Sequence, residues 1–169
     1  MEVDSFRFLS PVVRRYYQLS RVEKELPVPF TPLRRPVRES RFGLVTSGGL
    51  YHRGHDRPFD ADRERREPAW GDPGFRVLPV DMDPADVGVS HLHINARGVL
   101  ADMNVLLPVQ RFSELAAEGR VGGVAPHAYS FMGYQGFPAD LRGWKETHGP
   151  AVRDALLAEQ VDCVLLSTA

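Results

Sequence analysis

Apolar positions Phe8, Leu9, Val12, Val13, Tyr16, Tyr17 and Leu19 recur near a 3.6-residue period and predict a helix over residues 5–25. Pro11 falls where a first helical turn tolerates it. Residues 26–40 then carry Pro27, Pro29, Pro32 and Pro36, a density that disfavours both helix and central strand and predicts an extended surface arm. Phe42-Gly43-Leu44-Val45-Thr46 reads as a short strand closed by Ser47-Gly48-Gly49. Residues 57–74 are polar and broken by Pro and Gly, so a long loop is expected there, with the charged run Asp60–Glu67 as its solvated face. Arg76–Val80 is a strand, placed at an edge by Pro79. Residues 108–118 form a helix opened by Pro108 and ended by Gly119. Val121–Ala125 is a weaker strand because of Gly122 and Gly123. Residues 141–160 are helical, interrupted at Gly149-Pro150, and Val161–Leu166 is the last strand.

Strands alternating with helices in this order predict an α/β fold with a mostly parallel, Rossmann-like open sheet, shortened at its C-terminal side. The pattern divides the chain into an N-terminal helix and proline-rich arm (1–41) and an α/β domain (42–169). A length of 169 residues suits one domain with a real core. With 43% apolar residues, 25% charged residues and a net charge of −1, composition argues against a dedicated nucleic-acid or anionic-membrane binder. The single cysteine, Cys163, excludes an internal disulfide, and its place within the last strand predicts a buried, inert thiol. No apolar run approaches the roughly 18–20 residues of a membrane span. The stretch MEVDSFRFLS has acids where a secretion signal needs bases, so a cytoplasmic location is expected.

Candidate chemistry gathers around histidine. Five of the six lie between His52 and His127. His91-Leu92-His93, if on a strand, presents both imidazoles to one face. Three imidazoles suit a transition metal (Zn, Fe or Cu), so His91 and His93 are candidate ligands, with His127 or His55 completing the set. Asp56, Asp102 and Asn104 are candidates to orient the imidazoles, which with His55 makes a candidate catalytic group. Ser47, His52, Ser130 and Tyr134 are candidate substrate contacts. The alternatives are a metal-free polar site, or histidines bonded to loop carbonyls and an Asp102–Asn104 pair that only caps a helix or turn. His148 reads as a surface or helix-end residue, and Met132 as packing. Thr46-Ser47-Gly48-Gly49 lacks the glycine spacing and the lysine of nucleotide loops, so no nucleotide cofactor is expected. No G-x-S-x-G elbow supports a serine hydrolase.

The phrases FGLVTSGGLYHRGHDRPFD, VSHLHIN, ADMNVLLPVQRFSEL, VGGVAPHAYSFMGY and VDCVLLSTA, together covering much of residues 42–168, resemble the glycine/sarcosine/betaine reductase selenoprotein B family, which includes D-proline reductase relatives. The resemblance implies reductive cleavage of a C–N bond in a small amino-acid-like or amine substrate. It also implies a reactive selenocysteine or cysteine just after the strand matching Val161–Ser167, with more chain beyond. Cys163 falls inside that strand and does not match the reactive position. Three readings follow. One is a His-rich-pocket metalloenzyme built on this fold. Another is a reductase subunit whose thiol or selenol comes from a partner or was lost at a UGA codon. The third is a non-catalytic binding subunit. A homodimer covering the last strand, and a partner redox subunit, are the expected associations.

Overall fold

The computed structural model describes residues 9–19 and 31–169. The chain divides into two compact units, residues 1–32 and 33–169. In the first, α1 (Pro11–Leu19) begins at Ser10, whose carbonyl accepts the Arg14 N–H at 2.8 Å. Pro11 takes the first turn as its missing N–H allows. Leu9 and Ser10, expected to be helical, precede the helix, and residues 5–8 and 20–25 of the expected helix lie outside the described residues, as do residues 26–30 of the arm.

The second unit begins eight residues before the first strand. Ser40 is fully buried, and its carbonyl accepts the Gly122 N–H at 2.9 Å, which stitches the end of the arm to the sheet. The sheet is built on β1 (Arg41–Thr46). On one side β1 pairs in parallel along its length with β7 (Cys163–Ser167), Phe42 opposite Cys163 and Thr46 opposite Ser167. On the other side it pairs in parallel first with β5 (Gly123–Val124) and then with β6 (His127–Phe131). Beyond β6 lies β3 (Phe75–Pro79), antiparallel and at the edge as Pro79 requires. A separate antiparallel ribbon joins β2 (Leu50–His52) to β4 (Val87–Val89). The fold is therefore α/β with a mostly parallel central sheet, as the alternating pattern predicts.

Strand alternation sends side chains to two different cores. Leu44, Leu78 and Ala128 face one side, where they pack with Leu50, Val87, Val99, Met103, Leu107 and Val109. That side is covered by the ribbon, by α3 (Ala96–Ala101) and by α4 (Val109–Ala117). Val45, Tyr129, Phe131 and Phe75 face the other side and meet Val152 and Leu156 of α5 (Gly149–Ala158). A π-helical turn, Trp144–His148, leads directly into α5, so Gly149-Pro150 marks a change of winding and not a break. The expected ends of α4 hold, with Pro108 before its first residue and Gly119 at φ +67 after it.

Two local expectations fail. The charged run is not a loop but α2 (Ala61–Arg66), because Asp60 accepts the Arg63 N–H at 2.9 Å and caps the helix; Asp62, Arg65, Arg66 and Glu67 are exposed as expected, while Glu64 turns inward. His91 and His93 lie in a turn after β4 and not on a strand. His127 follows the strand expected at 121–125, seen as β5, and itself opens β6 after Pro126 divides the two. Among the described residues, no helix is long and apolar enough to cross a membrane.

Candidate functional site

Ser47, Gly48 and Gly49 leave β1 at the carboxyl edge of the parallel strands, next to Met132-Gly133-Tyr134 leaving β6. This is the edge where open α/β sheets place ligands. Gly49 turns the chain with φ +64, and a Cβ there would stand 3.2 Å from His91 Cβ and backbone N. The Ser90 N–H donates to the Gly49 carbonyl at 3.0 Å, so the histidine turn is pinned against the β1 loop. A Cβ on Gly133 would stand 3.0 Å from both His91 Nε2 and the Ser47 carbonyl oxygen. His91 therefore sits in a slot that only glycine backbone leaves open.

His91 and His93 meet by turn geometry. The His93 N–H donates to His91 Nδ1 at 3.2 Å, and the two rings stand at 88° with centroids 5.8 Å apart. With Nδ1 occupied as an acceptor, neutral His91 carries its proton on Nε2, the nitrogen facing Gly133 and Ser47. Burial, and then the neighbouring His93, hold the His91 pKa below the usual imidazole value. Tyr134 closes one flank, its ring centroid 4.8 Å from that of His93 and its hydroxyl donating to the Pro68 carbonyl.

Behind His93 stands a residue the sequence reading missed. Glu64, on α2, keeps only 3% of its side chain exposed, while His93 keeps 55%. His93 Nε2 lies 3.1 Å from Glu64 Oε1, within ion-pair range, but its N–H does not point at the oxygen, and Oε1 has no hydrogen-bond donor. Burial raises the Glu64 pKa, and the attraction of His93 and Arg65 offsets only part of that. The signal was available. Asp60 is a strong N-cap residue, and Phe59 before it is buried at the position of a hydrophobic staple, whose partner position on the first turn is Glu64.

The remaining expected residues disperse. His127 faces Glu159 at the opposite end of β6, Nδ1 to Oε1 2.6 Å, with the Tyr129 hydroxyl at 3.5 Å from the same oxygen. Burial, then the Glu159 charge, pushes the Tyr129 pKa up to about 12. Four residue steps of about 3.3 Å each separate His127 from Phe131 at the other end of β6, so His127 does not join His91 and His93. His52 ends β2, and His55 and Asp56 lie in the turn that follows. The His52 N–H donates to Asp56 Oδ2 at 2.8 Å, and the two rings lie 4.5 Å apart. Among the described residues, no group of three His, Cys, Asp or Glu side chains is placed to hold a metal ion. Asp102 and Asn104 take the capping role. Asp102 Oδ1 accepts from Asn104 N at 3.0 Å and from Nδ2 at 2.7 Å, which holds the Asp102 pKa down, while Asn104 Oδ1 accepts the Gln110 N–H at 3.2 Å at the start of α4. Ser130 is fully buried, and its hydroxyl accepts the Leu50 N–H at 2.8 Å, a bond that ties the ribbon to the sheet. Ser47 stays at the site, its Oγ accepting the Ala169 N–H at 3.0 Å. Cys163 is a half-buried free thiol within β7.

The fold and the site together define an α/β protein with a polar cluster at the carboxyl edge of its parallel strands. The particular relatives come from sequence. The chain is 33% identical over 141 residues to the D-proline reductase subunit gamma of Acetoanaerobium sticklandii, which covers 83% of this chain and 53% of that protein. It is 25% identical over 142 residues to the glycine reductase complex component B subunit gamma of Carboxydothermus hydrogenoformans, covering 83% of this chain and 31% of that protein. These two similarities support the selenoprotein B reductase family indicated by the sequence phrases. The chain spans about half of the first relative's length and under a third of the second's. No family model and no solved structure matches the chain.

Proposed function

We propose that the chain is part of a glycine- or D-proline-reductase-type complex and contributes a substrate pocket at the carboxyl edge of β1 and β6. The observation that carries this reading is the 33% identity to a D-proline reductase subunit, which extends over 83% of the chain. The site geometry is compatible with it: Ser47, His91, His93 and Tyr134 gather at one edge. In such a reaction the C–N bond breaks, the carbon gains a hydrogen, the nitrogen leaves with the electron pair and a proton, and a thiol or selenol supplies the two electrons. The metalloenzyme reading needs His127 or His55 to join His91 and His93; His127 lies at the far end of β6, His55 lies in the turn after β2, and among the described residues no group of three such side chains is placed to hold a metal, which leaves that reading without support.

The test is reconstitution with candidate reductase subunits and a dithiol reductant, using glycine or D-proline. Ammonia from glycine, or the ring-opened amino acid from D-proline, is expected only when this chain is present. Equal product without it overturns the reading.

A homodimer belongs to the same proposal. Val164 and Leu166 on the open edge strand β7, with Leu157 of α5, are 43%, 71% and 63% exposed, and they line a groove of about 410 Å³ that a second copy would cover. Sedimentation of the purified chain at micromolar concentration is expected to show a dimer that Leu166→Asp converts to monomer. A wild-type monomer contradicts it.

A further inference from the structure

Glu64 is the most expensive side chain at the site to keep. A carboxylate with 3% exposure loses its hydration, and its Oε1 has no hydrogen bond in return. The helix that carries it does not require an acid there. Its N-cap is supplied by Asp60, and the staple position opposite the buried Phe59 favours an apolar residue. What Glu64 does reach is His93 Nε2, at 3.1 Å. A modest rotation of the imidazole would bring its N–H onto Oε1, and free sites commonly hold such bonds long or misaligned until a ligand is present. With Nε2 engaged, Nδ1 becomes the free nitrogen of a ring whose side chain is 55% exposed and whose plane is flanked by Tyr134 and His91.

We propose that His93 is a proton-transfer group of the site, with buried Glu64 as its positioning residue, holding Nε2–H and leaving Nδ1 as the working nitrogen. The logic is that of any carboxylate–imidazole pair: the carboxylate fixes tautomer and orientation and faces the positive charge of the protonated ring. The ligand class is a small amine. In the step itself the Nδ1–H bond of the imidazolium breaks, its electron pair stays on the ring, and the ligand nitrogen gains the proton. The charged groups facing this pair are Arg65 beside Glu64 on α2 and His91 across the turn, with Tyr134 against the ring. This assignment rests on the carboxyl-edge placement of the substrate pocket and adds to it the residue that moves the proton.

Three measurements decide it. The first is thermal stability of the isolated chain with Glu64→Leu. A positioning acid held at a cost to the fold predicts a Tm at pH 7 raised by roughly 2–4 °C. A purely structural acid predicts a fall, which overturns the proposal. The second is the ¹⁵N signature of the His93 ring above its titration. The wild type is expected to show Nδ1 unprotonated and Nε2 protonated, and Glu64→Leu a mixture of both forms. An unchanged tautomer overturns it. The third is turnover in the reconstituted complex, expected to fall about 100-fold in Glu64→Leu and in His93→Gln, with KM nearly unchanged and the pH profile altered. Near-wild-type turnover in either variant overturns it. If the wild-type complex shows no turnover, the reductase reading fails, and the first two measurements still judge the pair.

Discussion

Two histidine–glutamate pairs sit at opposite ends of the same sheet, and they differ in what they leave free. At the amino end, His127 Nδ1 and Glu159 Oε1 are 2.6 Å apart, and Tyr129 adds its hydroxyl to the same oxygen. At the carboxyl end, His93 Nε2 and Glu64 Oε1 are 3.1 Å apart and misaligned, and the glutamate is the more deeply buried of the two acids, 3% against 16% exposed. The first pair is joined through Oε1, its short bond linking the end of α5 to the start of β6, although Glu159 Oε2 is itself buried without a partner. The second is open, with a buried acid whose bonding capacity is unspent. Bond length and burial, taken together, separate a histidine that fastens elements from one available to a ligand.

The comparison breaks most visibly in turnover. In the reconstituted complex His93→Gln should cost about 100-fold, while His127→Gln should leave the rate unchanged; equal losses would erase the distinction. Stability should run the other way. Glu159→Leu removes a short charged contact and should cost about 1–2 kcal/mol in urea unfolding, whereas Glu64→Leu should move the midpoint upward. Gly133→Ala sharpens the picture at the open end: its Cβ would stand 3.0 Å from His91 Nε2, so a loss of about 1 kcal/mol with weakened ligand binding is expected by calorimetry. The smallest effect is in pH. The folded-state pKa of His91 is lowered, so the unfolded chain takes up the proton first; stability from this group is full above about pH 6.5 and declines as pH falls below it. Glu64 has the opposite sign. Its folded-state pKa is raised, so its contribution is most favourable below about pH 4.5 and is lost as pH rises through the folded-state pKa. Denaturation midpoints of His91→Phe and Glu64→Leu across pH 4–8 should flatten these two limbs separately.

Much of the sheet was legible because its strands are short apolar runs between strong turn residues. Phe42–Thr46 and Val161–Leu166 announce β1 and β7 within two residues of their ends. The ribbon of β2 and β4 was not legible, since three-residue strands carry too little alternation to register. Pro126 divides β5 from β6. It ends the pairing of β5 yet lets β6 continue, because its carbonyl still accepts the Val80 N–H at 3.0 Å. At the site, the sequence placed His91 and His93 together for the wrong reason, and it hid Glu64 inside a run of charges. Charge density reports solvent only when a helix does not turn one of those charges inward, as the Asp60 cap does here.

The bonds that tether the histidine turn also set how the site moves. Leu50 N–H is held by the buried Ser130 hydroxyl, Gly49 N–H by the Phe131 carbonyl and Ser90 N–H by the Gly49 carbonyl. The first two bonds tie the ribbon to the sheet and the third lies within the ribbon, so exchange of the Leu50 and Gly49 amides is expected to require the ribbon to lift from the sheet. Leu50 and Gly49, which lead out of the Ser47 turn, are therefore expected to exchange more slowly than amides of an exposed loop.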